Sequence, residues 1–491
     1  MQGEKMKNIL IIQPFRKPKF KEMVVTNYPF WEVINVAPLV TAAILKESYN
    51  VQFLSLQNIF KSYESNQSKE LFHILNLYNP DLVIFHTDYF MANSNTASLY
   101  SIKLICEYFK KRDIKIKTLL LGKNGETIGK EIFEIIESLD IVVKGEADEF
   151  IKDLVDKIFS SELIGYPYIY VKQKEGIYCG DGVGKMNNVN LLPVPAYELL
   201  EDTLKWIEKI NHMSMNTIPV SIRTSYGCTQ KCNFCGGMKY WNCYYMRSSE
   251  KIEEELIYMK NVWGNRIKVV FLADELFTVN RKHVKDVVDV FERHKIMLNG
   301  VFSRVDTFND ELAKEIKKIS KTVVFGAENC VDDILKLANK NQKFKDVLHA
   351  CDIAKRNKLD VSLEWIVGLP GESIESAIKN LNTIYSMLVN KKVDNINTYV
   401  FCPHPNTPYF IEKEKSGIEK IGKYENMLEE GGFPQYSLKN SLNSNQIFIY
   451  YLISQLVIQD AQQNKEFLPE SFVPDRYNLE AFRELFSEVE E

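Results

Sequence analysis

"RTSYGCTQKCNFCGG", residues 223–237, sets Cys228, Cys232 and Cys235 within eight positions in the spacing C-x3-C-x2-C. No fourth Cys or His follows at metal-ligand spacing, and the next thiol, Cys243, lies eight residues on beyond an aromatic run. Thiolates are soft ligands that suit zinc or iron–sulfur clusters. A structural zinc wants four protein ligands, and a [4Fe–4S] cluster usually takes four cysteines. Three cysteines leave one iron open, and an open iron can bind a small molecule and pass it an electron. The competing readings are a zinc knob completed by Cys243, or three buried cysteines without metal.

The position of the loop argues for chemistry. From residue 218 onward, apolar strand segments alternate with helical ones: "PVSIRTS", "IKVVFLA", "LNGVFSR", "TVVFGAE", "DVSLEWIVG" and "INTYVFC". Six βα units in about 180 residues predict a partial (β/α)6 TIM-like barrel, since a full eight-unit barrel takes about 250. Active sites of such barrels lie at the carboxyl ends of the strands, and the three cysteines follow the first strand at once. Ser248 and Ser249 are candidate N-caps for the helix "SEKIEEELIYMKNV", whose charge run reads as a solvated face.

Upstream, "NILIIQ", "VQFLSL", "DLVIFH", "KTLLLG" and "DIVVKG" alternate with helical stretches and predict an α/β, doubly wound parallel sheet of Rossmann-like type. Ligands of such sheets sit outside the strand carboxyl ends, which aligns His86, Thr87, Gly122, Lys123, Gly145 and Glu146 along one rim. The organisation expected is a Rossmann-like domain over 1–160, a linker with a small β-element over 161–217, the barrel over 218–410, and a mostly helical C-terminal region over 411–491. That last region includes a helix at 445–462 and a terminal helix in "RYNLEAFRELFSEVEE".

Bulk properties narrow the classes. The 491 residues are 45% hydrophobic and 26% charged with a formal net charge of −4, so the basic face of a nucleic-acid binder is not visible. Six of the nine cysteines stand alone, a poor disulfide framework that fits a reducing cytosol. The start lacks the apolar core of a signal peptide, and "IFIYYLISQLVI" is too short for a bilayer, which needs about 20 residues. A cytoplasmic protein with neither nucleic acid nor membrane as partner is expected.

The cysteine spacing, with Phe234 before the last thiol, resembles the cluster motif of the radical S-adenosylmethionine superfamily. "FLADELFT" resembles its second-strand element, in which Asp274 and Glu275 would meet the methionyl amine; alternation along a strand allows only one of them to face the barrel mouth. "FSRVD", with Arg304 for the carboxylate, "GAEN", with Glu328, and "WIVGLPGES", with Gly368 near the adenine, resemble the next three elements. "FCPHPNTP" resembles a barrel-end signature that usually has glycine where Asn406 stands. The bland readings are an Arg304–Glu328 ion pair, a solvated strand end at 274–275, and a turn made rigid by prolines around His404.

"VAPLVTAAILKESYNVQFLSL", "DLVIFHTD" and "DIVVKGEADEF" resemble the cobalamin-binding domain that precedes the barrel in one large subfamily, and "LLPVPAYELL" its joining segment. The resemblance implies cobalamin contacts from Leu39 and the rim residues His86, Thr87, Gly122, Lys123, Gly145 and Glu146. None of the seven histidines stands in a D-x-H-x-x-G pattern, and "LGKNGE" replaces a usual Gly-Gly. His86 reads either as a satisfied rim histidine or as a group approaching the lower face of the corrin. The resemblance further implies a [4Fe–4S] cluster, S-adenosylmethionine and cobalamin, and an external one-electron reductant of flavodoxin or ferredoxin type. The activity implied is methylation of an unactivated carbon of a small metabolite or natural-product precursor. The alternatives are rearrangement, cyclisation or other hydrogen abstraction, and a non-catalytic metal module.

Overall fold

A computed structural model of the chain describes residues 6–15, 33–60, 67–87, 96–212, 216–237, 244–427 and 433–463. These form two compact units. The first holds the described residues up to Thr224 together with Tyr245–Ala273; the second holds those from Ser225 to Tyr244 and from Asp274 onward. No described helix is long and apolar enough to cross a membrane.

The first unit is built on a seven-stranded sheet in the order β2-β1-β3-β4-β5-β6-β7. Its strands are β1 (Asn8–Gln13), β2 (Asn50–Ser55), β3 (Leu82–His86), β4 (Lys117–Leu121), β5 (Ile141–Val143), β6 (Ile169–Gln173) and β7 (Gly176–Cys179). The first five are parallel, and their near-continuous apolar runs are those of strands buried on both faces. Strand order reverses between β1 and β3, which is the switch point where ligands of such sheets bind. The hairpin of the expected linker, β6 and β7, pairs antiparallel onto β5 and so extends this sheet. Gly125, in the short helix Lys123–Thr127 after β4, packs directly on β5: a Cβ there would lie 1.8 Å from the Val143 carbonyl oxygen.

The first two barrel-type strands, Ser221–Ile222 and Val269–Leu272, pair in parallel within this unit. The helix between them, Ser249–Trp263, starts where the Ser248 side chain accepts from the Lys251 amide. It buries Glu255 completely against Arg247, 2.5 Å away, and against the Tyr197 hydroxyl of the "VPAYELL" segment. Arg247 also donates to the Arg223 carbonyl at 2.8 Å, bracing the strand end just before the cysteine loop.

The second unit contains four paired parallel strands: Val301–Ser303, Thr322–Glu328, Asp360–Val367 and Asn395–Val400. Amphipathic helices Asp310–Ile319, Phe344–Arg356 and Ile374–Val389 connect them. All six expected barrel strands are therefore present as parallel βα units. The helix expected at 445–462 is Ser444–Gln463 and packs on Ile374–Val389. Before it, an unexpected antiparallel pair, Ile418–Ile421 with Tyr436–Leu438, occupies a region expected to be mostly helical. These strands are too short to print a periodic signal. The expected terminal helix lies outside the described residues.

One buried carboxylate organises the turn after Asp360–Val367. Glu372 accepts from the backbone amides of Gly368 (2.6 Å) and Leu369 (2.9 Å) and from the side chains of Asn329 (2.7 Å) and Asn380 (3.0 Å). Burial pushes its carboxyl from 4.5 up to about 7, against the pull of those donors.

Two predictions follow from these buried charges. Arg247→Met strands Glu255 without its counter-charge and should cost roughly 3–5 kcal/mol, read as a lower urea midpoint. A carboxyl raised on folding is protonated in both states at low pH and ionises first in the unfolded chain. Glu372 therefore loses stability for the native state as pH rises from 4.5 to about 7. Glu372→Gln should gain about 3 kcal/mol relative to wild type over that interval, measured by urea unfolding at its two ends.

Candidate active site

The cysteine loop opens at Gly227, whose φ of +85° a side chain would resist. Its amide donates to the Glu275 carboxylate at 3.0 Å, and the neighbouring Ser225 hydroxyl donates to Asp274 at 2.6 Å. Asp274 is buried and Glu275 half-buried, so the pair expected at this strand end is engaged in holding the start of the loop. Cys232 is buried and Cys228 and Cys235 are half-buried. The loop turns on a Cys235 amide to Cys232 carbonyl bond of 3.2 Å, and the Gly237 amide points at the Cys235 sulfur at 3.4 Å. Burial pushes all three thiols up, Cys235 to about 12, and neighbouring sulfurs add to the effect at Cys228 and Cys235.

The middle of the loop is clamped from outside. The Asn233 amide and side chain donate to the carbonyls of Ala338 (2.9 Å) and Leu337 (2.8 Å), and Asn339 donates to the Lys231 carbonyl at 2.7 Å. The Tyr409 amide donates to the Asn233 carbonyl at 3.0 Å. Asn339 takes φ +52° and Asn406 takes φ +73°, both left-handed positions that asparagine tolerates. The second explains why the barrel-end signature usually carries glycine there. The buried His404 lies in this same turn, its carbonyl accepting from the Thr407 hydroxyl at 2.7 Å, in keeping with a structural role.

Arg304 does not pair with Glu328. It makes a two-pronged contact with Asp306 at 2.8 and 2.7 Å. Both line a cavity of about 400 Å³ with Thr229 and Gln230 of the cysteine loop and with Leu276 and Thr278. Glu328 instead binds Lys340 at 2.7 Å, and the Lys340 ammonium lies 5.7 Å over the Phe234 ring. Gly368 has φ +83° at the end of its strand, and a Cβ there would come within 2.5 Å of Ile447. The structure thus gathers Cys228, Cys232, Cys235, Phe234, Asp274, Glu275 and Glu328 around one loop, with Arg304 in the adjoining cavity.

In the first unit, His86 ends β3 and Thr87 follows it beside the switch point, both buried. Thr87 is tied to β4 through the Leu121 carbonyl at 2.8 Å. Gly122 (φ +101°) turns the chain into Lys123, which is also buried. Gly145 and Glu146 are bound to a different segment: Gly145 bridges to Gly184, and the Glu146 amide donates to the Gly184 carbonyl at 3.0 Å. Leu39 is fully buried in helix Ala37–Leu45, with its carbonyl taken by the Ala196 amide at 3.0 Å. Of these candidates, His86 and Thr87 stand at the switch point, and Gly122 and Lys123 follow the neighbouring strand β4.

Residues that the sequence reading passed over are Asn233, Asn339, Lys340 and Glu372. The asparagines flanking Lys340 in "NKN" were the available signal, since paired asparagines favour left-handed turns. A partner 108 positions away, as Asn339 is from Lys231, leaves no local trace.

Residues 222–384 match the family model described as Radical SAM superfamily. An uncharacterized methyltransferase of Pyrococcus horikoshii is 23% identical over 411 residues, 82% of each chain. An anaerobic magnesium-protoporphyrin IX monomethyl ester cyclase of Rubrivivax gelatinosus is 24% identical over 65% of this chain and 57% of its own. Among solved structures, the radical S-adenosylmethionine methyltransferase TsrM of Kitasatospora setae, with cobalamin and a [4Fe-4S] cluster bound, superposes with a TM-score of 0.61 at 15% identity, covering 85% of this chain and 81% of that one. The cobalamin-dependent radical enzyme OxsB, with aqua-cobalamin bound, gives 0.63 at 14% identity, covering 90% and 66%. Residues 222–384 therefore carry a radical S-adenosylmethionine superfamily domain, and the chain shares its fold with these two solved structures.

Proposed function

We propose that the protein is a cobalamin-dependent methyltransferase that alkylates an unactivated carbon of a small metabolite or natural-product precursor. The observation that carries this reading is the cysteine loop itself. Three thiols pushed up by burial are poor thiolates alone, and a cationic iron–sulfur core among them removes that penalty. Among the described residues no three His, Cys, Asp or Glu side chains are close enough to share a single metal ion. In a [4Fe–4S] cluster each thiolate takes a different iron, so the sulfurs need not converge. Cys228, Cys232 and Cys235 would hold such a cluster. In the first unit the glycine-only turn at Gly122 and the close seating of Gly125 draw a helix start onto the strand ends, and a corrinoid would lie outside those ends, near His86 and Thr87.

When bound, the cluster supplies single electrons to S-adenosylmethionine and cobalamin supplies a methyl carrier. The chain's own residues bind and orient. Arg304, already fixed by Asp306, presents a guanidinium suited to the methionyl carboxylate, and a ligand carboxylate would compete with Asp306 for it. Asp274 and Glu275 keep the loop in place beside that cavity, and Leu276 and Val279 give it apolar wall. The reductant proposed is a flavodoxin- or ferredoxin-type protein. A second reading, hydrogen abstraction without methyl transfer, is favoured by the likeness to the ester cyclase.

Anaerobic reconstitution tests both. Wild type should take up about four irons per chain, and alanine at any of the three cysteines should abolish the cluster absorbance. With cobalamin, S-adenosylmethionine and a reductant, 5′-deoxyadenosine together with S-adenosylhomocysteine supports methyl transfer, whereas deoxyadenosine alone supports the second reading. Bound zinc in place of iron would sink both. Arg304→Met should weaken S-adenosylmethionine binding to the reconstituted protein roughly 100-fold by equilibrium dialysis, as loss of one buried charge partner does.

A further inference from the structure

The turn that follows helix Asp332–Leu337 does more than clamp the loop. It drives Lys340 into the protein interior, with 13% of the side chain exposed. There the ammonium meets Glu328 at 2.7 Å and the face of Phe234, the residue before Cys235, at 5.7 Å. The backbone makes room for this at two places. Glu328 adopts φ +63°, strained for a residue with a side chain, just after the pairing of its strand shifts between Gly326 and Glu328. Gly326 bears no Cβ where one would lie 2.4 Å from the Glu328 carboxylate and 2.7 Å from the Lys340 ammonium. Burying an ion pair is seldom a gain in stability over apolar packing, so strain accepted to place one is a pointer to function.

We propose that Lys340 is a positioning residue of electrostatic kind: it holds a fixed positive charge behind the cysteine loop and raises the reduction potential of the cluster bound there. This inference rests on the iron–sulfur reading given above. Adding an electron to a thiolate-ligated cluster increases negative charge in a poorly solvated site, where a nearby cation lowers the cost more than it would in water. The Lys340 ammonium lies over the ring of Phe234, the residue before Cys235, and the Glu328 carboxylate lies beside that ammonium, so two opposite charges stand behind the same loop. Lys340 and Glu328 should therefore shift the potential in opposite directions.

The test uses full-length protein reconstituted anaerobically, with the cluster titrated against redox mediators and followed by visible absorbance and electron paramagnetic resonance, without substrate. Lys340→Met should lower the reduced-to-oxidised ratio at a fixed potential about tenfold, equivalent to about 59 mV for one electron. Lys340→Arg should stay near wild type, and Glu328→Gln should move the potential upward. A merely structural role would not reverse sign between the two partners. Should Lys340→Met fail to fold, the upward shift of Glu328→Gln still decides. An unchanged potential in Lys340→Met or Glu328→Gln at full iron content overturns the inference and leaves the cluster reading standing. A wild-type chain that takes up no four-iron cluster overturns both.

Discussion

Three thiols confined to eight residues repel one another as thiolates, and the second unit is arranged around that constraint. The loop has no regular structure of its own to hold the sulfurs apart or together. Its geometry comes from outside: Glu275 and Asp274 at its start, Asn339 and the carbonyls of 337–338 at its middle, and Tyr409 beyond. A loop so braced presents its ligands without having to order them at the moment a cofactor binds, which is the condition for precise metal chemistry.

The braces are themselves fixed by buried polar groups, and those groups are linked. Glu372 ties the turn after one barrel strand to Asn329, the residue next to Glu328, and Glu328 is tied to Lys340. Lys340 belongs to the turn that grips the loop. Each of these is a charge or amide taken out of water, and each is satisfied by its neighbour. In the first unit Glu255, Arg247 and Tyr197 play a comparable part, bracing the strand that leads into the cysteines.

The rim of the seven-stranded sheet shows how far strand-end logic reaches. His86 and Thr87 stand at the reversal of strand order, and Gly122 and Lys123 follow the next strand. Gly145 and Glu146 end a strand on the same side yet serve a chain segment that crosses at Gly184. Strand ends nominate candidates, and the crossing chain decides which of them remain available.

The sequence by itself determined the alternation of strands and helices, the count of six parallel barrel-type strands, and the three cysteines with no fourth. These are local patterns, written in hydrophobic period and in spacing, and they survive whatever the rest of the chain does. Only the tertiary structure decided that Arg304 faces Asp306 rather than Glu328, that Glu328 meets Lys340, and that an asparagine turn a hundred residues away grips the cysteine loop. Charge partners are chosen by which strand ends and turns folding brings within about 3 Å, a length that sequence distance does not encode.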